Sequence, residues 1–492
     1  MSRLLEVLRS NRSPLFVFFL AAVLRGLPEI LSGPYPVGYD VLAGYIPAVE
    51  KFPDVSVLTL FGWVWAPLAI VILRAFSVFS DGNSYLLMKI FAPGLYGFFA
   101  SSFYLMLARG LRWNPRISLM TGLIFLLQPA ILRLGWDQFR LELGLSILFL
   151  LLTVTGGDLL RRGRRAPWAI AGLSVLVVLS QELVAVLLFA IAFWQIFAAL
   201  RARNSTLSSY ASLLPAVLLF ALQVFARLVR FPSFSSHLSP IMTSNSPFFT
   251  NYLSGLPFGG GGYSLLILTV ASLSLYTIVP VMPLALEGFS REKLFFPVLL
   301  WLAIAAYDVV AVPSFGLSYF WWWLLLLPIP LTVYAGKGLV KFGVLRKTNR
   351  FRIGVLFIAL LSFLAMGYST SAIGLGYPSA YAYMPGGLVE SAVPFADIPY
   401  IQQAFYWSNQ HLPWGSLILV PENFQGFAAT DSRSDLRINV VPPSLSLEEA
   451  LQLVHPKTAV YAIYTPLHLG NASIQKLAVF GNILVCDVTG SN

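Results

Sequence analysis

Asp40 stands in a polar stretch, PYPVGYDVLAGYIPAVEKFPD at 34–54, with Tyr39 before it and Tyr45 five residues after. This is the first long polar interruption after an apolar segment of membrane length. A carboxylate held there can take the proton of an attacking hydroxyl, which is the work of a general base. Further along, Arg133, Asp137, Arg140 and Glu142 surround a short polar turn, W-D-Q-F-R at 136–140, and Glu182 interrupts an apolar run from Pro167 to Phe197. Arg230 and His237 lie in a long polar loop at 229–262. Arginine matches the oxygens of a phosphate with paired N–H donors. A departing phosphate needs cations or a metal to take up its charge.

Taken together, these residues fit transfer of a group from a lipid phosphate to a hydroxyl at the membrane surface. Asp40 is the base, and Arg140 or Arg230 engages the phosphate. Asp137 and Glu182 orient the acceptor, hold a divalent ion or position the arginines, while Tyr39, Tyr45 and His237 complete the substrate-binding candidates. Each residue also has a plainer reading. Asp40 can cap a helix, Arg133, Asp137 and Arg140 can satisfy one another across a turn, and His237 can be an ordinary loop histidine. Glu182, following Gln181, reads as the exposed tip of a helical hairpin. Arg25 and Glu29, four residues apart, read as a local ion pair.

Positioning falls to the apolar segments. Of 492 residues, 57% are hydrophobic and 11% charged, with mean hydropathy +0.76. A soluble domain carries about 25% charged residues. No aqueous fold could hide so much apolar surface, so the chain is a polytopic α-helical protein of the cell membrane. Its net charge of +11 gathers at segment ends, in Arg3–Arg12, Arg109–Arg116, Arg161–Arg165, Arg201/Arg203 and Lys337–Arg352. That is the positive-inside pattern, with contact to anionic lipid rather than nucleic acid. The single cysteine, Cys486, excludes an intrachain disulfide, and no Cys/His cluster has zinc spacing. A divalent ion therefore remains an unassigned cofactor.

Crossing a bilayer as helix takes about 20 apolar residues. Candidate spans are 14–31 (a retained anchor, lacking a small-x-small cleavage site), 85–108, 117–134, 141–156, 167–181, 183–200, 210–228, 263–286, 294–312, 318–336 and 353–374. Segment 57–79 makes the number eleven or twelve. If it does not span, all the basic clusters share the inner face, and loops 32–56, 135–140, 229–262 and the tail lie outside. Charge asymmetry favours this arrangement, with 57–79 re-entrant or surface-lying and broken near Pro67. The N-terminus is then cytoplasmic. Residues 1–374 form the membrane domain, and 375–492 a small extracytoplasmic α/β domain.

In that tail the pattern predicts a helix over 397–412, a Pro413-Trp414-Gly415 turn and strands at 416–420, 437–441, 458–464 and 483–488. It also predicts helices from Ser446 to Val454 and from Ser473 to Phe480. Strands alternating with helices point to a mixed or parallel sheet.

The chain resembles the C-type glycosyltransferase superfamily, which includes protein O-mannosyltransferases, aminoarabinose transferases and oligosaccharyltransferase catalytic subunits. The resemblance rests on P-V-G-Y-D-V-L-A-G-Y after the first span, W-A-P-L at 65–68 and a basic inner loop. It continues with a span ending L-L-Q-P-A-I-L, the outer turn with Asp137 and Arg140, and L-P-W-G-S-L-I-L-V in the tail. It covers roughly 10–200 and the layout of the tail. It implies a polyprenyl-phosphate-linked sugar donor, Asp40 as the first-loop catalytic aspartate and Asp137 as the acidic residue of the second outer loop. The acceptor, whether glycan, lipid or protein, is unassigned. The sequence departs from the family in carrying a single Asp40 where an acidic pair is common, and it lacks a W-W-D-Y-G motif. Trp321-Trp322-Trp323 lies within a span instead.

Two other classes fit the same composition. A transporter or lipid flippase would place ionisable groups near the midplane, where Asp308 is the main example. A non-catalytic scaffold would use the outer domain to bind a partner.

Overall fold

The computed structural model describes residues 12–31, 34–36, 38, 41–50, 66–80, 82–159, 166–201, 211–230, 263–290, 294–311, 320–341, 393, 396–421, 424–441, 447–448, 451, 460–466 and 474–488. The predicted span 353–374 and residues 57–65 lie outside these.

Helix α1 (Arg12–Leu31) shows how one segment faces two media. Phe16, Phe19, Val23, Leu27 and Ile30 are exposed along one side, as a lipid-facing stripe must be. Val17, Ala21, Arg25 and Glu29, each four residues on, are buried on the other side. That buried side packs against the long helix α4 (Ser84–Leu105). Gly97 permits the approach, because a Cβ there would sit 2.7 Å from the Phe18 carbonyl oxygen. Between them lie a π-helical turn (Val41–Tyr45), the short helix α2 (Ile46–Glu50) and α3 (Leu68–Ser77). Helix α3 begins directly after Pro67, the residue at which the sequence predicts a break.

The stretch 117–134, read as one span, is two helices. Helix α5 (Pro115–Leu127) stops, Gln128 is extended, and α6 (Pro129–Asp137) starts afresh with a bend of 66°. Proline explains both halves of this. It pushes the preceding residue out of the helical region, and it is itself well placed at the first position of a new helix. Helix α7 (Phe139–Thr155) follows after the single residue Gln138. Phe99 and Phe103 of α4 meet Phe125 of α5 and Phe149 of α7 in one aromatic cluster, the closest rings 3.9 Å apart.

Next come α8 (Ala166–Ser180), α9 (Glu182–Arg201), α10 (Leu214–Arg230), α11 (Tyr263–Ile278) and α12 (Met282–Gly288). The membrane part closes with α13 (Phe295–Ala311), α14 (Phe320–Leu326) and α15 (Pro328–Lys341). Trp323 packs edge-on against Trp301 at 4.9 Å, so this tryptophan lies among the helices. Among the described residues, Ser84–Gly110, Glu182–Arg201 and Trp322–Lys341 are each long and apolar enough to cross a membrane, with several shorter apolar helices beside them. The chain is a polytopic helical membrane protein carrying a small C-terminal sheet.

That sheet has five strands in the order β2-β1-β3-β5-β4, namely β1 (Leu417–Pro421), β2 (Arg437–Val441), β3 (Val460–Tyr464), β4 (Gln475–Phe480) and β5 (Ile483–Asp487). β1 pairs in parallel with β2 and β3, and β5 runs antiparallel to β3 and β4. Helices α16 (Ile398–His411) and α17 (Gln425–Asp431) cover one face. The helix expected over Ser473–Phe480 is strand β4. Phe480 pairs with Ile483 across a two-residue turn in which Gly481 has φ +52°. A Gly-Asn pair between apolar runs is a hairpin signal, and it prevails over weak helical spacing.

Candidate functional site

Three charged residues of the membrane helices, Arg25, Glu29 and Lys89, meet at the end of the bundle where α1 leaves and α4 enters. Arg25 and Glu29 are each only 2% exposed, and they form the expected ion pair, with Nη1 and Oε1 2.7 Å apart. The pair is more than local. Arg25 Nε donates to the Gly135 carbonyl at 2.7 Å, and Nη2 donates to the Trp136 carbonyl at 2.9 Å. Its guanidinium also lies over the Trp136 ring, 5.3 Å from the centroid. Those carbonyls belong to the last turn of α6, where helix geometry leaves acceptors without intrahelical partners and a cation is favoured. Arg25 thus fixes the backbone at which Asp137 closes α6. Gly135 is required there, since a Cβ would come within 2.3 Å of the Tyr96 ring.

Lys89 on α4 was not singled out from the sequence. Its ammonium donates to the Glu29 carbonyl, and to the Tyr35 carbonyl at 3.2 Å, so it holds the start of the first loop. The signal was present, because Lys89 is the sole charged residue of the predicted span 85–108.

Tyr45, at the end of the π-helical turn, is buried rather than presented to solvent. Its hydroxyl accepts the backbone N–H of Arg140 at 3.0 Å, and its ring packs on Phe139 with centroids 4.8 Å apart. The first loop is therefore tied to the opening turn of α7. Tyr45→Phe should lower stability by about 1 kcal/mol, the net worth of one hydrogen bond. Tyr45→Ala should cost about 3 kcal/mol or more, because the ring is lost as well. Thermal unfolding in detergent, comparing the two variants, checks this.

Asp40, Tyr39 and His237 lie outside the described residues. So do the side chains of Asp137, whose backbone ends α6, and of Arg230, whose backbone ends α10. Arg140 is half-buried on α7. Glu182 opens α9, but the hairpin tip is not the exposed one expected. Gln181 is 4% exposed, Glu182 is half-buried, and Val184 closes on Gly144 of α7, where a Cβ would meet it at 3.1 Å. Glu182 Oε2 is sheltered and finds no hydrogen-bond donor among the described residues. Glu142 is fully buried, with neither oxygen hydrogen-bonded among the described residues and Arg25 within electrostatic reach. No three His, Cys, Asp or Glu side chains come together as a metal-binding group among the described residues.

The C-terminal sheet domain touches the same end. Tyr35 donates to Gln402 Oε1 at 3.3 Å, and Gln402 Nε2 donates to the Tyr85 hydroxyl at 3.0 Å, bridging α16, the first loop and α4. Leu42 packs into the core beneath α16 and α17. Asp431, the last residue of α17, has its carboxyl raised from 3.8 to about 6, first by burial and then by the charge of Glu50, against an opposing hydrogen bond from Gln402. The folded value lies above the ordinary one, so the contribution of the protonated form is complete below about pH 4 and is lost as pH rises through about 6. The difference is worth about 3 kcal/mol. Thermal stability measured from pH 4.5 to 8 should fall through pH 6 in the wild type, and Asp431→Asn should flatten that fall.

The architecture has solved counterparts. ArnT from Cupriavidus metallidurans, solved bound to undecaprenyl phosphate, aligns over 97% of this chain and 98% of its own, with TM-score 0.52 and 14% identity. The chain shares the fold of that structure. Arabinofuranosyltransferase AftD from mycobacteria shares it over 96% of this chain but only 42% of AftD, with TM-score 0.51 and 12% identity. No protein-family model and no curated protein sequence matches the chain. In this chain three ties gather at one end of the bundle: Arg25 to α6, Tyr45 to α7, and Gln402 to Tyr35 and Tyr85.

Proposed function

We propose that the protein transfers a sugar from a polyprenyl-phosphate donor to an acceptor hydroxyl at the outer face of the cell membrane, with Asp40 as general base. The observation that carries this reading is the hydrogen bond from the Arg140 backbone to Tyr45. It holds the chain immediately after Asp40 against the turn that bears Asp137 and Arg140. ArnT, which shares the fold, was solved with undecaprenyl phosphate.

In the reaction, the acceptor oxygen bonds to the anomeric carbon as that carbon's bond to the phosphate oxygen breaks. Asp40 takes the hydroxyl proton, and the polyprenyl phosphate leaves with the bonding pair. Arg140 or Arg230 neutralises the leaving phosphate, Asp137 and Glu182 orient the acceptor, and Tyr39 and His237 complete the sugar pocket. A divalent ion held by the carboxylates would add to the neutralisation. Arg109, Arg112 and Arg116 lie beyond the far end of α4 from this site, which supports a cytoplasmic N-terminus and an extracytoplasmic C-terminal domain.

Proteoliposomes loaded with radiolabelled polyprenyl-phosphate sugar and an envelope extract as acceptor test the proposal. Label should pass from the lipid phase into acceptor, leaving polyprenyl phosphate. Movement of intact donor between leaflets without cleavage would instead identify a flippase.

A further inference from the structure

An apolar groove of about 510 Å³ runs between α9 and α13. Val186, Ala190 and Phe193 line it from α9, and Pro297, Trp301 and Ile304 line it from α13. Phe193 and Ile304 are both exposed, so the groove opens sideways to the bilayer. The two helices run in opposite directions. Gln195, late in α9, accepts the Leu159 N–H at 2.8 Å and donates to the Gly157 carbonyl at 2.8 Å. Leu294, just before α13, packs there too, since a Cβ on Gly157 would lie 3.2 Å from its side chain. The end of α9 and the start of α13 therefore meet just past the end of α7. Helix α7 begins at the candidate site, where Tyr45 holds Arg140, so the start of α9 and the end of α13 lie on the site's side of the bundle.

Helical spacing carries each wall of the groove to a carboxylate. Glu182 stands four residues before Val186, and Asp308 four residues after Ile304. Each is on the face that lines the groove, about 6 Å beyond it along the helix. Glu182 is the sole charged residue of 166–200, and Asp308 is the sole charged residue of 295–336. Glu182 Oε2 and Asp308 Oδ1 are sheltered and receive no hydrogen bond among the described residues. Carboxylates on membrane helices are costly, and two at one mouth of a groove mark a place where something binds.

We infer that this groove seats the acceptor, and that the acceptor is a lipid with an uncharged, hydroxyl-bearing headgroup. The apolar walls take the chain. Ionised carboxylates accept hydrogen bonds and donate none, so they select a head that offers O–H groups. The same two charges repel a phosphate, which keeps the polyprenyl-phosphate donor and anionic phospholipids out of this groove. Asp308 thereby joins Glu182 in orienting the acceptor. The acceptor role rests on the transfer reaction proposed above, whereas the seating of the lipid does not.

The test uses a diacylglycerol monoglucoside with a photoactivatable diazirine in one acyl chain, and the full-length protein in nanodiscs. Irradiation should label peptides of α9 and α13 about tenfold more strongly than phosphatidylglycerol carrying the same diazirine. Ala190→Trp, which fills the groove, should remove that labelling, and Glu182→Gln/Asp308→Asn should bring the two lipids level. In proteoliposomes with labelled donor, sugar should pass into the glucoside. Labelling that spares α9 and α13, or that treats the two lipids alike in the wild type, would overturn the site. Groove labelling with sugar passing only to water-soluble acceptors would overturn the lipid as acceptor. Groove labelling with no donor cleaved by any acceptor would instead overturn the transfer reaction and leave the lipid site standing.

Discussion

Asp40→Asn should slow sugar transfer by about 10²- to 10⁴-fold, the usual contribution of a positioned general base, with no loss of stability. Asparagine keeps the size and most of the hydrogen-bonding of aspartate but cannot accept the proton of the attacking hydroxyl. The neighbouring anchors are unaffected by the change: Tyr45 still accepts from Arg140, and Lys89 still holds Tyr35. Donor cleavage and thermal unfolding should therefore separate, the first falling steeply and the second unmoved. Full activity in this variant would remove Asp40 from the mechanism while leaving the fold assignment untouched.

The second large effect is structural. Arg25→Met should destabilise the membrane domain by about 3–5 kcal/mol, the cost of breaking a buried ion pair from one side. The variant leaves Glu29 charged and buried, and it strips the Gly135 and Trp136 carbonyls of their donors. Arg25→Lys should rescue little, because one ammonium cannot serve a carboxylate and two carbonyls in the fixed fork of a guanidinium. Arg25→Met/Glu29→Leu should recover part of the loss by removing both charges. Unfolding midpoints in a single detergent, with size-exclusion profiles, give the ranking. A wild-type midpoint for Arg25→Met would show that these contacts contribute nothing to the folded state.

Local pattern carried some of these features and not others. The i,i+4 spacing of Arg25 and Glu29 announced their pairing, but the carbonyls to which Arg25 donates lie 110 and 111 positions away, beyond the reach of any periodicity. The strand at 437–441 was legible because the β-branched Ile438, Val440 and Val441 follow a polar turn and stop at Pro442-Pro443. The helix over 398–411 was legible from its spacing and the Pro413-Trp414-Gly415 stop. β4 was misread because its alternation is imperfect and an irregularity falls at Lys476 to Ala478. The break at Gln128 was written in its proline, which hydropathy averaged away. Glu182 looked like a solvent tip because a hairpin turn is polar in sequence whether or not a neighbouring helix buries it. Asp431 and Gln402 gave no local sign, since their environment comes from the first loop and the start of α4, hundreds of residues earlier.

That separation along the chain has a consequence for synthesis. Tyr35 and Gln402 are 367 positions apart, and their bond helps seat the loop that follows. At ribosomal rates of about 5–20 residues per second, Gln402 emerges roughly 20 to 70 seconds after Tyr35. Throughout that interval the nascent membrane helices can insert while the Asp40 loop still lacks its support from the tail. Completion of the chain then acts as the step that licenses the loop, and a protein cut short before α16 would sit in the bilayer without this brace.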